Sequence, residues 1–130
     1  MIIKRSIDVE KETNDLLKNY FNTCLRPLPE KYTTPITLIE LMGGTSTDTI
    51  DTFTIRLSVR AKTNGEAVTT MRNVLGVLDY QTKKQVGKLR YSTEENLTSW
   101  GNDPIRPDLC LCTATVQVIA HKESFEIEES

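Results

Sequence analysis

The residues that could do chemistry are few. Cys110-x-Cys112 is the conspicuous pair, and Cys24 is the third cysteine. In a strand, residues two apart point the same way about 7 Å apart, too far for easy disulfide geometry. A structural zinc site needs about four ligands, with roughly two to four residues between paired cysteines. The chain has one histidine, His121, and one further cysteine, so the pair reads as small buried hydrophobes and no metal is expected. A nucleophilic triad would have to use His121, yet no nucleophile turn accompanies it. Carboxylates are plentiful but scattered, and none forms an evident acid–base pair. Gly43-Gly44 lacks the spacing of a phosphate loop and precedes a strand, so it reads as turn glycine. No catalytic, cofactor-binding or metal-ligating residue is assigned, and the chain is not expected to be an enzyme.

The element that organises the rest is Asp51–Leu78. Phe53, Ile55, Leu57, Val59 and Ala61 alternate with Thr52, Thr54, Arg56, Ser58 and Arg60, the pattern of a strand with one buried and one wet face. Thr63 with Glu66 three residues later predicts a helix start. Ala67, Val68, Met71, Val74, Leu75 and Leu78 then follow at helical spacing. A first helix is predicted over Ile7–Cys24, with Asp8 as N-cap and a stripe of Val9, Leu16, Leu17, Tyr20, Phe21 and Cys24. Pro27 and Pro29 prevent its continuation. Further strands are predicted at Ile36–Met42, Val86–Thr93 and Leu109–His121, the last with Cys110, Cys112, Ala114, Val116, Val118 and Ala120 on one face. Gly43–Ile50 reads as a long hairpin loop, Tyr80–Gln85 as polar connection and Glu94–Pro107 as irregular.

The fold expected is therefore α+β in the order α-β-β-α-β-β. Two helices pack on one face of a four-stranded, mainly antiparallel sheet. At 130 residues a single domain is expected, spanning 1–122, followed by an acidic, flexible tail over 123–130. The net charge of -2 argues against a dedicated nucleic-acid binder, and sparse aromatics argue against base-stacking platforms. No apolar run approaches the ~20 residues of a membrane span. An odd cysteine count without a secretory signal suggests a reducing compartment, where the Asn96-Leu97-Thr98 glycosylation pattern has no meaning.

The organisation resembles the tail-terminator and tail-completion proteins of long-tailed, siphovirus-like bacteriophages. The features that carry the likeness are soft patterns of order and polarity, covering most of the chain. An amphipathic Ile7–Cys24 leads into a proline-containing link, Arg26–Pro35. An apolar strand then ends at glycines, Ile36–Gly44. A polar loop and long alternating strand follow over Thr45–Ala61. Next come Glu66-Ala67 and the apolar Val74–Leu78, and finally Gly87, Pro104, Arg106 and the strand from Leu109. The resemblance implies a virion structural protein of the neck, assembled in the host cytoplasm. It would form a homo-oligomeric ring, commonly a hexamer, that caps the tail tube and docks on the head connector or head-closure protein. Genomic DNA would pass through without specific binding. Closed rings need two different contacting surfaces on each subunit. Gly43, Gly44, Thr45, Asp48, Arg56, Arg60, Trp100 and Arg106 are the expected contact residues, with Arg56 and Arg60 projecting into solvent. The alternatives are another neck component (head-closure or minor capsid protein) or a small-molecule-binding α+β domain.

Overall fold

A computed structural model describes residues 1–85, 87–93 and 99–128. Val86, the start of an expected strand, lies outside the described residues, as do Glu94–Thr98 with the Asn96 pattern, and Glu129–Ser130.

The architecture is α+β with two helices, but it corrects the expected four-stranded sheet. Among the described residues, eight strands form two sheets. The larger is mixed and six-stranded. Its elements are β2 (Thr23–Leu25), β3 (Ile36–Ser46), β4 (Ile50–Ala61), β5 (Leu89–Ser92), β6 (Ser99–Asn102) and β7 (Cys110–His121). They run in the order β2-β3-β4-β7-β5, and β6 also pairs with β7, at Cys110–Thr113, where β5 pairs with Gln117–Ala120. The smaller sheet pairs β1 (Ile2–Arg5) with β8 (Glu123–Glu126). The acidic segment expected to fray thus forms a strand over 123–126.

The additional strands are three or four residues long, too short to display an alternation. One of them, β2, pairs parallel to β3, a partnership no local pattern announces. The expected loop over Gly43–Ile50 is also corrected. Strand pairing continues to Ser46 opposite Asp51 across a bulge between Leu41 and Gly43, which leaves a tight turn at residues 47–49.

Helix α1 spans Val9–Leu17, shorter than expected. Asp8 caps its start, accepting from the Lys11 N–H at 3.1 Å. Asn19 ends it, because its side-chain amide donates to the carbonyls of Asp15 and Leu16. Tyr20, placed on the buried stripe by the sequence, is consequently exposed. Helix α2 spans Asn64–Lys84 and outruns its apolar pattern. Thr63 caps the start. The polar extension carries an Asp79–Lys83 pair one turn apart and ends at Gln85 in the left-handed conformation (φ 56°).

Both helices cover the same face of the large sheet. There Ile55 lies opposite Val116, Leu57 opposite Ala114 and Val59 opposite Cys112. Leu57, Val59, Met71, Val74 and Val116 have no exposed surface. Each such burial is worth about 1.5–3 kcal/mol. A buried polar contact crosses this core. Thr13 of α1 and Tyr91 of β5 share a buried 2.9 Å hydrogen bond. Burial pushes the Tyr91 phenol up to about 12, with the Thr13 bond opposing the shift, so the ring stays neutral at physiological pH. Among the described residues, no helix is long and apolar enough to cross a membrane.

Candidate assembly surfaces

The expected contact residues separate into two groups at opposite ends of β4. Gly43, Gly44, Thr45 and Asp48 lie at the hairpin end and are exposed. Arg60, Trp100 and Arg106 lie at the other end, Trp100 opposite Cys112, which itself faces Val59. Eight residue steps along the strand, from Thr52 to Arg60, set the two ends about 26 Å apart.

At the hairpin end, β3 changes character along its outer edge. Strand β2 covers Thr37–Ile39. Glu10 then blocks the next step: its Oε1 accepts from the Leu41 N–H at 3.1 Å and from Arg26 Nη2 at 2.9 Å. From Met42 to Ser46 no strand of the described residues pairs with this edge. Sheet edges are ordinarily blunted by charge, proline or cover. Met42-Gly43-Gly44-Thr45-Ser46 has neither charge nor proline, and all five residues are exposed. Gly44 is required here, since a Cβ at this position would run into the Thr52 carbonyl oxygen and the Phe53 side chain.

The opposite end presents large apolar side chains. Trp100 is 63% exposed and Ile105 is 79% exposed. A tryptophan left in water at a sheet margin is the residue type most enriched among interface anchors. Behind it lies a polar knot. Arg60 was expected in solvent, and that expectation is corrected: Arg60 is buried and its Nε sits 2.8 Å from Asp103 Oδ2. Asp103 belongs to the segment after β6, which meets the Arg26–Pro35 link where the Arg106 guanidinium stands 5.8 Å from the Tyr32 ring centre. Asp103 also accepts from the Ile105 N–H through Oδ1, which fixes the turn that displays Ile105. Arg106 itself pairs with Asp108 at 2.9 Å, and that contact holds the Asp108 carboxyl below its ordinary range.

Between the two ends, the sheet face away from the helices is open. Arg56 is partly exposed there and pairs across the strands with Glu40 at 3.0 Å. Thr115, Gln117 and Ile119 of β7 stand beside it in solvent. This part of the expected wet face is present, while its Ser58–Arg60 end is roofed over.

Compared with known proteins, the sequence matches no protein-family model and no curated protein.

The cysteines are all free thiols. Cys112 is fully buried on the core face, and burial pushes its thiol up, away from thiolate reactivity. Burial also raises Cys24, partly opposed by the charge of Arg60. Among the described residues, no three metal-ligating side chains converge.

Sequence reasoning missed Asp103, Glu40 and Glu10, the carboxylates that decide which arginines and which edge are free. Each acts on a group 16 to 43 positions away, and single carboxylates carry no spacing signal. A groove of about 550 Å³ between the end of α1 and α2, flanked by exposed Tyr20 and Tyr80, was missed because Tyr20 was assigned to the core.

Proposed function

We propose that the chain is a structural ring subunit of a long-tailed phage neck, acting as a tail terminator that caps the tail tube and joins it to the head connector. The supporting observation is the pair of unlike surfaces at opposite ends of β4. One is an unpaired, uncharged strand edge at Met42–Ser46; the other is an exposed apolar cluster at Trp100 and Ile105. Head-to-tail rings need two different, mutually complementary surfaces on one subunit, roughly opposed across it. A strand edge offers main-chain hydrogen bonds and a tryptophan offers an anchor, the two ingredients of strand-addition interfaces. The polar open face with Arg56 sets register more than it adds affinity.

The test is a gatekeeper substitution. Thr45→Lys puts a charge on the free edge without touching the core, so the monomer keeps its melting temperature. Analytical ultracentrifugation with the tail-tube protein present reads ring formation, and complementation of phage lacking the chain reads function. Loss of rings with over-long or headless tails supports the terminator role. DNA leaking from tailless heads moves the subunit to head closure. Full assembly and full complementation by Thr45→Lys overturn the edge as an interface.

A further inference from the structure

At the β5–β7 corner of the sheet lies a pocket of about 360 Å³ whose lining is unusually cationic. Arg90 and Ile119 are cross-strand partners, and His121 lies two residues beyond Ile119 on the same face. Lys88 precedes β5, and Lys122 leads into β8. The carboxylate in the lining is Glu123, and it is already engaged, with Arg5 Nε at 2.9 Å and Lys88 Nζ at 3.6 Å. Lys122 has only a loose partner, Asp51 at 3.9 Å.

Arg90 is the informative group. Its Nη1 donates to the Gly87 and Leu89 carbonyls at 3.0 and 2.9 Å, which fixes the guanidinium plane. No carboxylate of the described residues pairs with it. A guanidinium held by main chain and left without a counter-charge among the described residues is preorganised for a multivalent oxyanion. Positive charge therefore exceeds negative charge around the cavity. The pocket is too large for a chloride ion or a single water and matches a small organic molecule. Ile119, exposed on an otherwise polar face, and Ile7 supply an apolar floor.

We propose that this pocket binds a small organic phosphate. The phosphoryl group lies against Arg90, Lys88 and His121, and the carbon skeleton lies over Ile119 and Ile7. This goes beyond the assembly role and does not depend on it.

His121 is the chain's single histidine, so its ring resonances report the pocket without ambiguity. The experiment titrates phenyl phosphate into the intact protein at constant pH and ionic strength, following the His121 ring by NMR. The expected result is a saturable shift with Kd of about 1 mM or tighter. Inorganic phosphate binds more weakly and benzyl alcohol does not bind. Lys88→Gln and Arg90→Gln each weaken binding roughly tenfold, as expected for loss of a charge-assisted hydrogen bond. Lys4→Gln, on β1 outside the lining, leaves it unchanged. A shift that is linear and reproduced by sodium chloride overturns the proposal, as does unchanged affinity in the Lys88→Gln/Arg90→Gln variant. Tighter binding of benzoate than of phenyl phosphate overturns the assignment to phosphate.

Discussion

Replacing Asp103 with asparagine removes one negative charge from beside Arg60 and changes little else. The Asn side chain retains an oxygen for the Ile105 N–H, so the turn survives. Its amide nitrogen, however, now faces the guanidinium, donor against donor. The side chains of Arg60 and Asp103 are 10% and 1% exposed, so water cannot substitute for the lost partner. Breaking a buried ion pair by removing one member costs about 3–5 kcal/mol, and retention of the Oδ1 contact places this case near the lower figure. For a chain of this length about 3 kcal/mol lowers Tm by roughly 10 °C. Urea unfolding of wild type and Asp103→Asn measures the difference, with an unchanged slope confirming that compactness is intact. Adding Arg60→Met to Asp103→Asn restores most of the stability, because no orphaned charge remains and the Asn oxygen still accepts from the Ile105 N–H. A loss below about 1 kcal/mol for Asp103→Asn refutes the reasoning, since that is the worth of an ion pair in solvent.

Leu57→Asp and Val74→Asp each abolish folding, because both positions are fully buried and an unpaired carboxylate there costs several kcal/mol; circular dichroism showing native-like melting in either contradicts this. Asp51→Asn costs about 1–3 kcal/mol at neutral pH. Burial alone would raise the Asp51 carboxyl, but hydrogen bonds from Ser46 and Ser6 and the charge of Lys122 outweigh it and hold the carboxyl below its ordinary range. Its contribution is complete above the unfolded value of about 3.9 and fades as pH falls through the lower folded value. Urea unfolding across acidic pH should therefore show a shallower decline in Asp51→Asn than in wild type. Gly44→Ala destabilises by about 1–3 kcal/mol through the clash with the Thr52 carbonyl. The opening is local, so amide exchange should rise at Thr45, Ser46 and Thr52 before it rises in α2.

The long elements were legible because their burial is regular. The alternation of Phe53 to Ala61 and of Cys110 to Ala120 marked the core face of β4 and β7, and Thr63 marked the start of α2. The alternation could not reveal that the far face is wet only in part. Arg60 has the sequence signature of a solvent-facing residue, yet it is buried and paired with Asp103, a carboxylate 43 positions away in the segment after β6. Tyr20 failed in the opposite sense: it continues the apolar stripe of α1, but Asn19 ends the helix first. Helix continuation past Leu78 was hidden because its support is polar, from the Asp79–Lys83 pair and the Gln85 cap. Of the candidate assembly residues, Gly43–Asp48 are exposed as a loop reading implies, but Gly43–Ser46 extend β3 and only residues 47–49 turn; Trp100 is exposed at the opposite end. Their separation across the subunit depends on the pairing of β6 with β7, which only the folded chain displays.

Glu10 gives the free edge of β3 a definite length. Its carboxylate occupies the Leu41 N–H and is held in place by Arg26, so the sheet cannot be extended inward past that residue. At the other limit the chain turns at residues 47–49. A strand laid alongside β3 therefore has the five residues Met42–Ser46 to meet, about 17 Å of backbone. The edge works as a gauge: it admits a short strand, and it denies the indefinite sheet-to-sheet growth that an unstopped edge would template.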